Sequence, residues 1–180
     1  MRQAPPIFLC AVVLLRMQVT AYAAETTRWF DIEPGVRVYL NSPQPLDAAK
    51  PSLLVIYATP NGNSIEQTWG AAVAKDDKSA DWRMDIQHVG AQIRLLRSID
   101  ASRNIAVAVI EADGKSWPAW RAKHADSSKF ILNIVDGLRA ETKIGNTLPT
   151  VFLTGHSGGG SFTFGLLNGV EVTVGSPKQL

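Results

Sequence analysis

The clearest chemistry in the sequence lies in five residues, Gly155-His156-Ser157-Gly158-Gly159. They follow an apolar run at 151–154 (VFLT) and precede another at 162–167 (FTFGLL). A serine with glycine two positions to either side, between a strand and a helix, fits a tight turn that lifts its hydroxyl clear of the sheet. The glycines are needed because the bend brings neighbouring backbone too close for a β-carbon. The chemistry to expect is that of an exposed serine nucleophile at Ser157. The start of the following helix would also point free main-chain N–H groups toward developing negative charge. A plain glycine-rich surface turn is the alternative. A phosphate-cradling loop is disfavoured, since neither Lys-Ser/Thr nor Gly-x-Gly-x-x-Gly follows the strand.

Such a turn needs a sheet before it and a helix behind. Apolar runs at 53–58 (LLVIYA) and 105–110 (IAVAVI) are continuous, as in strands covered on both faces. Residues 36–40 (VRVYL) alternate, as in a half-exposed strand. One helical stripe runs through 82–97 with Ile86, Val89, Ile93 and Leu96. A second holds Phe130, Ile131, Ile134, Val135 and Leu138, with Asp126, Ser127 or Ser128 as its cap. Residues 41–51, with three prolines, read as a loop, as do 59–70 and 113–120. This alternation predicts an α/β fold, a mostly parallel sheet with helices on both faces and its sites at the carboxyl ends of strands. Chemistry is therefore expected in the loops after Ala58, Ile110 and Thr154. Residues 25–180 read as one domain, with no internal repeat.

With the serine turn and this order of elements together, the chain resembles the α/β-hydrolase superfamily, including secreted esterases and depolymerases. The resemblance spans residues 53–168 and is specific at the serine turn. It implies a carboxylic-ester substrate, small or polymeric, with Ser157 as nucleophile and the Gly158 N–H as half of an oxyanion hole. The other half would come from the loop after Ala58, at Asn61 or Gly62. There Thr59-Pro60-Asn61-Gly62-Asn63 stands where many relatives carry a His-Gly-rich sequence.

The family's chain order is serine, then Asp or Glu, then His. After Ser157 the only acid is Glu171, and no histidine follows. The expectation is a domain truncated after the helix behind the serine, with impaired activity. His156 is expected to be structural, His88 to lie on a helix and His124 to be solvated. Residues 170–174 (VEVTV) read as one more short strand. A rival reading is an exported binding protein that keeps a hydrolase-like shell without turnover; another is a fragment without function. Trp69, Trp117 and Trp120 fit either a substrate pocket or ordinary packing, and Asp113 fits a turn. Lys75, Asp76, Asp77 and Lys78 read as a solvated loop. No set of His, Cys or Asp has metal-ligand spacing, so neither metal nor cofactor is expected.

The amino terminus reads as an export signal. Arg2 precedes an apolar run at 7–15 (IFLCAVVLL), and Ala21-Tyr22-Ala23 offers a cleavage site after Ala23 or Ala24. The run falls short of the ~20 residues that cross a bilayer, so stable membrane insertion is not expected. The chain carries 18 basic and 16 acidic residues, and the leader at 1–24 holds Arg2 and Arg16 but no acid. The remainder is balanced in charge, which gives no electrostatic reason to bind nucleic acid. Its one cysteine, Cys10, is in the leader, so the mature chain has no thiol chemistry. Localisation in the periplasm or the medium follows.

Overall fold

The computed structural model describes residues 24–33, 35–70 and 88–169. The segment before Ala24, read above as an export signal, the segment 75–78 and the segment 170–174 lie outside these residues. Strand β4 (Asn104–Ala112) is buried along its whole length, as its unbroken apolar run requires. It lies between β2 (Val36–Pro43), antiparallel to it, and β3 (Ser52–Ala58), parallel to it. β1 (Glu25–Glu33) pairs antiparallel with β2 at one edge, and β5 (Thr150–Gly155) pairs parallel with β3 at the other.

The order β1-β2-β4-β3-β5 makes a five-stranded mixed sheet with two antiparallel and two parallel pairs. This corrects the mostly parallel sheet expected from the sequence. The missing piece was β1, whose ETTRWFDIE carries mostly polar residues because it is an edge strand. Phe30 and Ile32 pack on the core, while Trp29 is half exposed. A tight turn at Gly35 (φ 76) returns the chain from β1, and so short a connection permits only antiparallel pairing.

Helices cover both faces. α1 (Ile65–Trp69) and α2 (Val89–Ile99) connect β3 to β4. They pack on Val55, Ile105, Val107 and Val109 through Ile65, Val89 and Ile93. α3 (Trp117–Lys123) and α4 (Ser127–Glu141) connect β4 to β5, and α5 (Gly159–Leu167) follows β5. These three bury Trp117, Trp120, Ile131, Ile134, Leu138 and Phe162 against Leu54, Ile56 and Ile110. The two connections step across the sheet in opposite directions, so right-handed crossovers place them on opposite faces.

The stripe at 130–138 is α4. The stripe at 82–97 is described from His88 onward, where α2 begins one residue later and runs to Ile99. The loop expected at 113–120 is instead a 3₁₀ turn (Asp113–Lys115) followed by α3. Ser116 caps that helix by accepting from the Ala119 N–H, and Pro118 sits in its first turn. Gly114 and Pro118 look like loop residues, yet here they mark a helix start.

Candidate active site

β3 and β5 are parallel neighbours, and Ala58 pairs with Gly155 at their carboxyl ends. The loop after β3 and the turn after β5 therefore leave the sheet side by side. β3 runs on to the α1–α2 face and β5 to the face of α5, so the two connections diverge at this end of the sheet.

Ser157 sits in that turn with φ 52, the left-handed region that side chains other than glycine rarely adopt. Its side chain is exposed. The turn is locked by three hydrogen bonds, in which the N–H groups of Gly159, Gly160 and Ser161 donate to the carbonyls of His156, Ser157 and Gly158 (2.9, 3.0 and 3.0 Å). The flanking glycines are demanded by contact with β3. A β-carbon on Gly155 would lie 2.9 Å from the Gly159 carbonyl carbon and 3.0 Å from the Ala58 oxygen. One on Gly159 would overlap the Ala58 carbonyl. Both neighbours are backbone, which cannot move aside.

The loop between β3 and α1 is pinned along its length. The Thr59 N–H donates to the Ile110 carbonyl (3.0 Å), Gly62 to the Lys115 carbonyl (2.9 Å) and Asn63 to the Pro60 carbonyl (3.3 Å). The Ser64 N–H donates to Gln67 Oε1 (2.9 Å) and the Ile65 N–H to Glu111 Oε2 (2.7 Å). Of the two residues read from the sequence, Gly62 thus has its N–H committed. Among the described residues the N–H groups of Asn61 and Gly158 have no acceptor. The Asn61 amide lies against the α-carbon of Gly158. The unspent Gly158 N–H is next to Ser157 in the chain, and the unspent Asn61 N–H belongs to the loop whose side chain meets Gly158.

No histidine joins Ser157. His124 is half-buried in α3's carboxyl end, where its Nδ1 donates to the Trp120 carbonyl (2.7 Å) and its ring stacks on Trp120. His88 caps the start of α2 rather than lying within it. His156 is exposed. Among the described residues, no hydrogen bond reaches the Ser157 hydroxyl. The tryptophans take the packing role. Trp117 and Trp120 are buried and meet edge to face, with Trp117 also against Phe162 of α5. Trp69 is wedged between Tyr39 and Gly90. Asp113 is exposed and ion-pairs with Lys123. No group of three or more His, Cys, Asp or Glu among the described residues could hold a metal ion.

Compared with known proteins, the chain matches no family model, no curated protein and no solved structure.

Glu111 is the residue that sequence reasoning passed over. It is a buried carboxylate near the end of an otherwise apolar strand. A charge in such a run was the available signal, since a buried carboxylate must be paired.

Proposed function

We propose that the chain is an exported serine hydrolase of the α/β-hydrolase type, acting on carboxylic esters, small or polymeric. Ser157 is its nucleophile, with the N–H groups of Gly158 and Asn61 as oxyanion donors. The observation that carries this reading is the left-handed conformation of Ser157 between β5 and α5. Backbone strain of this kind persists where surrounding structure enforces it, and it concentrates at functional sites. The uncommitted N–H groups beside it support the same role. The position of the second donor, in the loop between the third strand and the first helix, also fits that superfamily.

A second reading is a non-catalytic exported binding protein with the same shell. The specific observation in its favour is the unaccompanied Ser157 hydroxyl, because serine is a weak nucleophile without a base in reach. A fluorophosphonate probe separates the two. Slow labelling of the purified protein that vanishes in Ser157→Ala supports the hydrolase. A cooperatively melting protein that takes no label is a shell.

A further inference from the structure

We infer that Glu111 is the positioning residue of the loop that presents Asn61 to Ser157; this rests on the proposed serine site. Three of the loop's anchors lie on β4 or the turn that follows it. Thr59 is held by the Ile110 carbonyl, Gly62 by the Lys115 carbonyl and Ile65 by the Glu111 carboxylate. The first two are main-chain contacts that any sequence could make. Only the third depends on a side chain, and it is the shortest of the three at 2.7 Å.

Glu111 is about 6% exposed, so its carboxylate needs full pairing. Oε2 takes the Ile65 N–H, which is otherwise an unpaired donor in the first turn of α1, and Oε1 takes Arg37 Nη1 at 3.2 Å. Ser64 and Gln67 close the helix start by a reciprocal capping pair. The loop is therefore clamped at its start by Ile110, at Gly62 by Lys115 and at the helix start by Glu111, and Asn61 lies between the first two clamps. Asn61 keeps its place against Gly158 while these clamps hold the loop.

Removing the carboxylate releases the one clamp that depends on a side chain and loosens the loop that carries Asn61 between its two main-chain anchors. A shift of about 1 Å in a group that meets the reacting oxygen can cost on the order of 100-fold in rate. Glutamine at 111 keeps an oxygen that accepts the Ile65 N–H, so geometry rather than charge is what the site requires.

The test is amide hydrogen exchange on the full folded chain, read beside the rate of Ser157 labelling by a fluorophosphonate. In the unmodified protein the Ile65 amide is expected to exchange as slowly as the amides of β4. Glu111→Ala is expected to speed exchange at 61–65 by about tenfold or more, with β3 and β4 unchanged, and to slow labelling by about tenfold. Glu111→Gln, which keeps the oxygen that accepts the Ile65 N–H, should restore both. Rapid exchange of Ile65 in the unmodified protein overturns the proposal without any variant, even if Glu111→Ala fails to fold. Faster exchange spread equally over the sheet also overturns it, since Glu111 would then be only a stabilising residue. If the unmodified protein takes no label, the serine reading fails, while the exchange pattern still decides whether Glu111 holds the loop.

Discussion

Asn61 and Gly158 touch across the gap between two loops: the side-chain amide of one occupies the space where a β-carbon on the other would sit. That contact makes glycine obligatory after the serine and sets the Asn61 loop against the serine turn, and the main-chain N–H groups of Asn61 and Gly158 have no acceptor among the described residues. It joins β3 to β5 at the end of the sheet where Ala58 and Gly155 pair.

The three glycines that follow Ser157 are expected to differ sharply. Gly159→Ala drives a β-carbon into the Ala58 carbonyl and should cost roughly 1–3 kcal/mol in denaturant melts. Gly158→Ala displaces Asn61 and should abolish labelling of Ser157 even if the fold survives. Gly160 lies in α5 with nothing within 4 Å of its added β-carbon, so Gly160→Ala should stabilise by about 0.5–1 kcal/mol. Equal effects at all three would mean that the turn does not pack on β3 as described.

Ser157 is held in a conformation that glycine adopts freely. Ser157→Gly should therefore raise stability by about 1 kcal/mol, while Ser157→Ala, which keeps the strain, should not. Both remove labelling. A glycine variant no more stable than the alanine variant would argue against a strained turn.

A missing base can be supplied from solution. Turnover of p-nitrophenyl acetate should be negligible in plain buffer, because no base reaches the Ser157 hydroxyl among the described residues. Added imidazole should accelerate turnover above the imidazole background, and that excess should disappear in Ser157→Ala. Fast turnover without imidazole would show that a base lies closer than the structure places one.

Glu25 ties β1 to α2 through Arg94 (2.9 Å) and Arg97 (2.8 Å). Burial pushes its carboxyl up, but hydrogen bonds from Arg94 and Asn41 and the charges of Arg94 and Arg97 outweigh this, so its pKa falls below the ordinary glutamate value. A lowered native pKa means that folding favours the ionised form. The associated stability is fully present above the unfolded value near ~4.3, and it is lost as pH drops through the native one. Glu25→Gln should lower the melting temperature at neutral pH and flatten its decline in acid. An unchanged acid profile would show that the network contributes nothing to folding.

The outer side of β5 has no strand partner among the described residues, and Phe152 on it is 57% exposed. A groove of about 290 Å³ runs beside it along Tyr57, Ile93 and Leu96. An open apolar edge invites pairing between chains. Phe152→Lys should reduce concentration-dependent light scattering and change stability by no more than about 0.5 kcal/mol. Unaltered scattering would place the sticky surface elsewhere.

Much of this architecture could be read before any coordinates. Period and composition give β3, β4, α4 and the strand–turn–helix around Ser157, because continuous apolar runs and 3.6-residue stripes reflect how many faces of an element are covered. Gly155 and Gly159 were legible for the same kind of reason, since steric demand at a bend leaves its mark as glycine. β1 was not legible, because a strand at a sheet edge is half in water and its polar residues need no pattern. α3 hid behind Gly114 and Pro118, which mark loops and helix starts alike.

The choice between Asn61 and Gly62 lay beyond any local pattern. Both are ordinary loop residues in sequence, and what separates them is that Lys115, more than fifty positions away, takes the N–H of one and leaves the other alone. Sequence sets what each backbone group can offer; the chain's long-range folding decides which offers are already taken. Glu111 belongs to the same class, a charge whose purpose becomes visible only when α1 is laid against the end of β4.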